Sequence, residues 1–129
     1  MENLAAKLEI YFKAGLPILF LHTFEETKAI NIIQTVAGQR TLMEWSALGF
    51  RSAQGNVEFE EFDLLTTLNL LLADTDILNN KILILRDAHY YFHEPDIIAR
   101  LKYLAQIAGE KNFNIVVIAP VMEIPKELT

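Results

Sequence analysis

Leu16-Pro17-Ile18-Leu19-Phe20-Leu21-His22-Thr23-Phe24-Glu25-Glu26-Thr27-Lys28 decides the fold of this chain. Pro17 introduces four consecutive apolar residues, Ile18 to Leu21. A short run that is apolar at both odd and even positions has no solvent face, so it reads as a central strand of a parallel sheet. Thr23 follows, with Glu26 three positions later. That is the pattern of a capping box, in which the threonine side chain and the glutamate each satisfy a backbone N–H of the first helical turn. The helix so opened extends to about Gly38 and buries Ile30, Ile33 and Val36. Glu25 and Glu26 then stand at the positive end of its dipole.

The flanking sequence repeats the theme. Residues 2–14 place Leu4, Leu8, Tyr11 and Phe12 at helical spacing before Gly15. Thr41–Ser46 is a second strand. Residues 47–60 form an irregular excursion, with Phe50, Val57 and Phe59 suited to a short hairpin around Gly49, Gly55 and Asn56. Phe62 to about Leu72 is a leucine-rich helix. Asp74, Asp76, Asn79 and Asn80 break it. Lys81–Arg86 is a third buried strand ending at Asp87. Pro95 suits the first turn of a helix that runs to about Gly109 and buries Ile98, Leu101, Leu104 and Ile107 or Ala108. Asn114–Ile118 is the fourth strand, closed by Pro120. Residues 122–129 begin a short helix or a linker. Strand and helix in alternation give same-handed crossovers and a three-layer αβα domain over residues 1–129, with a mainly parallel sheet of about four to five strands.

Composition narrows the functional classes. The 129 residues are 52% hydrophobic and 22% charged, enough for a core and against disorder. There is no cysteine, which excludes disulfides and thiolate metal sites. The formal net charge of −6, without a basic cluster, argues against a nucleic-acid partner. No basic-then-apolar leader opens the chain, and no apolar run approaches the about 18 to 20 residues of a membrane span. A cytoplasmic setting without a membrane partner is expected.

Ligands of open parallel sheets bind beyond the C-terminal strand ends. A phosphate loop there needs glycines, for close approach of backbone N–H groups, and a lysine. The segment His22–Lys28 has no glycine and brings two carboxylates, while Lys28 pairs naturally with Glu25 on the helix. Asp87, after four apolar strand residues, stands where a magnesium-binding acid would stand, but Ala88 follows where a second acid is needed. The structural alternative is that Asp87 caps the next turn. His89 and His93 lie before Pro95, in a loop rather than on one helical face, which disfavours a zinc site. His89-Tyr90-Tyr91-Phe92 and Trp45 form a candidate interaction surface, the alternative being that they cover the core. No catalytic, cofactor or metal residue is assigned. Glu25, Glu26 and Asp87 are strand-end acids that could cluster, as in a magnesium-dependent receiver-like or nucleotide-binding switch domain, if the first and third strands were neighbours.

These segments resemble, in order, the N-terminal region of a cyanobacterial/plastid-type AAA+ ATPase family: Leu16–Glu26, Trp45-Ser46, Leu83–Phe92, Asp96–Leu101 with Leu104-Ala105, and Val116–Leu128. The departures are the excursion at 47–60 and His93-Glu94-Pro95, where the family often has Asp-Asp-Pro. The resemblance implies a non-catalytic domain upstream of an ATPase motor, serving partner docking or regulation. ATP and Mg²⁺ would belong to the downstream motor, with none in this segment. It further implies a degenerate P-loop-NTPase-like sheet with spatial order 1-4-3-2. A homo-oligomer, with Tyr90, Tyr91 and Phe92 at its interface, is a further reading of the aromatic loop.

Overall fold

The computed structural model describes residues 4–47, 49–51, 57–60, 63–120 and 124–128. Along the chain run α1 (Leu4–Lys13), β1 (Ile18–His22), α2 (Glu26–Ala37), β2 (Thr41–Ser46), β3 (Gly49–Arg51), β4 (Val57–Glu60), α3 (Leu64–Ala73), β5 (Lys81–Arg86), α4 (Pro95–Lys111) and β6 (Asn114–Ala119). Single 3₁₀ turns cover Thr75–Leu78, Ala88–Tyr91 and Lys126–Leu128. Phe62 and Met122, expected at the starts of their segments, lie outside the described residues.

The sheet order is β1-β6-β5-β2-β3-β4. Its first four strands are parallel, and counted along the chain they stand as 1-4-3-2. The excursion is a hairpin: β3 and β4 extend the β2 side antiparallel, making six strands in all. One expectation from the residues is corrected. Ile18–Leu21 reads as a central strand, yet among the described residues β1 stands at the edge and pairs only with β6.

Strand side chains alternate between two cores. Leu19, Leu42, Ile82, Ile84, Val116 and Ile118 meet α1 and α2 through Leu8, Ala29 and Ile33. Met43, Trp45, Leu83, Leu85, Ile115 and Val117 meet α3 and α4 through Leu68, Leu71, Leu101 and Leu104. β5 and β6 carry no exposed residue, because a helical layer covers each face and strands flank both edges. Of the apolar positions assigned to α1, Tyr11 turns to solvent.

The helix ends show which local signals operate. α4 starts at Pro95 as expected but runs past Gly109 to Lys111. It stops where Asn112 turns left-handed at φ 56°, an Asn-tolerated conformation. α3 begins after Asp63, whose carboxylate accepts the Thr66 N–H at 2.7 Å. At the N-terminal ends of the strands, Arg40 ties separate elements together. Its guanidinium donates to the Lys81 carbonyl at 2.9 Å and to Asn114 Oδ1 at 2.6 Å. Asn114 Nδ2 donates in turn to the Leu16 carbonyl at 2.6 Å.

Candidate functional site

The C-terminal ends of β1, β5 and β6 carry the segments singled out in the sequence. At the end of β1 the backbone N–H of Thr23 donates to the Ala119 carbonyl at 3.0 Å, extending the ladder with β6 by one bond. A capping box would require that same N–H to receive the Glu26 carboxylate. It is already committed, so the box does not form. The Thr23 hydroxyl accepts the Glu25 N–H at 3.0 Å instead, and α2 starts at Glu26.

Glu26 is thereby free to face the sheet. Its carboxylate accepts Nε of Arg86 at 3.1 Å, and Arg86 reaches with its other arm to Glu44 at 3.0 Å. The three come together because residues 82, 84 and 86 of β5 share the face covered by α2, as does Glu44 of β2 next door. Their side chains are between about one quarter and one third exposed. Partial burial works against the charge on Arg86, and the hydrogen-bonded carboxylates of Glu44 and Glu26 outweigh it, so its pKa stands above the ordinary value. A fork-shaped cation satisfying two carboxylates is a task for arginine rather than lysine. Glu25 points elsewhere and meets Lys28 at 3.8 Å, one exposed turn along the helix, a contact of little energetic weight.

Asp87 follows Arg86 in the left-handed region, at φ 65°. Its side chain caps nothing, and its carbonyl accepts the Tyr90 N–H at 3.4 Å to start the 88–91 turn. The turn is made by backbone conformation, not by the carboxylate as the sequence suggested. β6 stands between β1 and β5, so the strands bearing Glu25, Glu26 and Asp87 are not neighbours. Among the described residues no three His, Asp or Glu side chains converge on a position for a metal ion.

The aromatic loop divides between core and solvent. Trp45 is 1% exposed, and the Tyr91 ring meets it edge-on with centroids 6.1 Å apart. Phe92 is buried and meets Phe20 of β1 edge-on at 6.3 Å. Tyr90 alone of the set presents its bulk to solvent, 66% exposed, with the half-buried His89 ring tilted against it at a centroid distance of 4.1 Å. Sequence reasoning passed over a second aromatic at this end: Phe24, 83% exposed, in the loop after β1. It also passed over Arg86 as the partner of Glu26, since residues sixty positions apart give no local signal of contact. It passed over Asp63 as the cap of α3 as well, starting that helix at Phe62, although an aspartate directly before an apolar helical run is a local signal for one.

No helix among the described residues is long and apolar enough to cross a membrane. No curated protein and no solved structure matches the chain. A family model described as the N-terminal domain of SpoVK-like AAA ATPases matches residues 4–129.

Proposed function

The chain belongs to the family of N-terminal domains of SpoVK-like AAA ATPases, and from that premise we propose that it is a non-catalytic domain that docks partners to, or regulates, an ATPase motor carried elsewhere in the protein. The observation that carries this reading is Glu26. It occupies the first position of the helix that follows β1, and Arg86, itself anchored by Glu44, holds it there. In a nucleotide-binding α/β domain that helix N-terminus receives phosphate through backbone N–H groups, helped by glycines and a lysine. A fixed carboxylate would repel a triphosphate, and the strand-end cation Arg86 is already neutralised by two carboxylates. The strand order and the acidic strand end fit a degenerate relative of a P-loop domain, with ATP and Mg²⁺ belonging to the motor. Phe24 and Tyr90, both exposed beyond the C-terminal strand ends, supply apolar contact area for docking.

Titration of Mg-ATP into the 129-residue chain is expected to give no saturable heat. Micromolar binding would overturn the reading. In the full-length ATPase, removal of residues 1–129 is expected to leave ATP hydrolysis by assembled motors in place and to change its regulation. Loss of hydrolysis with assembly intact would place catalytic groups in this domain and refute the proposal.

A further inference from the structure

β1 carries the composition of an interior strand in the position of an edge strand. Ile18–His22 contains no Asp, Glu, Lys, Arg or Pro, and no bulge interrupts its pairing with β6. Natural sheets blunt their edges with charges, prolines or bulges, because an unpaired row of N–H and C=O groups templates another strand. The row on β1 can be identified. The Ile115 N–H donates to the Pro17 carbonyl at 2.8 Å and the Thr23 N–H to the Ala119 carbonyl at 3.0 Å. In a parallel ladder the odd residues 17, 19, 21 and 23 therefore face β6, and Ile18, Phe20 and His22 turn their backbone groups to the open side. Two apolar side chains flank this edge, Leu16 at 41% and Phe24 at 83% exposed.

The path of the described chain after β6 selects the occupant. Ile124 and Leu128 pack into the core beneath α4, and Leu128 borders a cleft of about 450 Å³ that it shares with Leu16, Ile18 and Ala105. Residues 124–128 thus lie along the α4 face and end at the foot of β1. The other crossovers obey one rule of hand. Passage toward β2 runs over the α2 face, and passage toward β1 runs over the α3 and α4 face. A strand begun beyond residue 128 and laid parallel to β1 on its open side continues that rule.

We propose that in the intact ATPase the residues directly after Thr129 add to β1 as a parallel edge strand, bonding to Ile18, Phe20 and His22 and coupling this domain to the remainder of the protein. The proposal rests on the reading of the chain as the N-terminal domain of a longer protein. Residue-resolved hydrogen exchange on the full-length protein tests it. The amides of Ile18, Phe20 and His22 are expected to exchange about 100-fold more slowly than unpaired edge amides, matching Leu19 and Leu21. Their protection is expected to be independent of protein concentration. Proline substitutions in the segment directly after Thr129 should abolish it while Leu19 and Leu21 stay protected. Rapid exchange in the full-length protein overturns the proposal. Protection that falls on dilution assigns the edge to a second copy and overturns it equally, as does protection indifferent to the prolines. Mg-ATP titration of the 129-residue chain is a separate readout, so failure of the non-catalytic reading and failure of the strand addition are told apart.

Discussion

Arg86 shows how one side chain at a strand end can close a would-be ligand site. Removing it leaves Glu26 and Glu44 facing one another, partly desolvated, with no cation between them. Arg86→Met is expected to lower stability by about 1 to 2 kcal/mol, below the 3 to 5 kcal/mol of a fully buried pair because the groups keep some contact with water. Arg86→Lys should recover only part of the loss, since an ammonium group cannot fork to both carboxylates. Urea unfolding midpoints measure both, and an Arg86→Met midpoint equal to wild type would contradict the ion network. Asp87 separates backbone from chemistry in the same way. At φ 65° glycine is less strained than any β-branched residue. Asp87→Gly should therefore hold or raise stability, whereas Asp87→Val should lose about 1 to 2 kcal/mol. A magnesium-dependent stabilisation of wild type that Asp87→Gly abolishes would give the carboxylate a role beyond the turn.

Among the elements, α3 depends most visibly on the residue that caps it, Asp63. The hydrogen bonds from Thr66 hold the Asp63 carboxyl below its ordinary pKa of 3.8. A carboxyl depressed in the folded state stabilises fully above its unfolded pKa, and that contribution is lost as pH falls through the folded value. The cap therefore weakens only in acid below about pH 4, and neutral-pH stability should show no trace of the titration. Asp63→Ala is expected to cost about 1 kcal/mol at neutral pH, and Asp63→Asn only a few tenths, because asparagine caps as well as aspartate. The gap in denaturant midpoint between wild type and Asp63→Ala should narrow from pH 7 to pH 3, while that between Asp63→Asn and Asp63→Ala stays the same; a constant gap between wild type and Asp63→Ala would show that the carboxylate charge is irrelevant. α2 is the contrasting case. Its expected cap was displaced because the β1–β6 ladder took the Thr23 N–H first.

At the scale of the whole molecule, two apolar cores share one sheet. β5 and β6 contribute alternate residues to each, so neither core can dissolve without exposing strand residues that the other requires. Unfolding is therefore expected to be a single cooperative transition. The sole tryptophan, Trp45, reports from the core beneath α3 and α4, while far-ultraviolet circular dichroism reports on all helices. The two urea curves should superimpose, and a resolved gap between them would mean that the α1/α2 layer melts separately.

The alternation of apolar strand and amphipathic helix settled the αβα architecture from local chemistry alone. Each run of Val, Ile and Leu must be covered on both faces, and only parallel strands between helical layers achieve that. The absent glycines and paired carboxylates after the first strand were equally legible, being facts of residue type. Tertiary structure alone decided which residues meet across the fold: Arg86 with Glu26 and Glu44, Arg40 with Asn114, Trp45 with Tyr91. It also decided that Tyr90 is exposed while Phe92 is not, and that a strand of interior composition stands at the edge. The hydrophobic pattern of a strand or helix records that the element must be covered and leaves open what covers it, because the drive to bury comes from the side chains' own cost of hydration and partnership from the path of the whole chain.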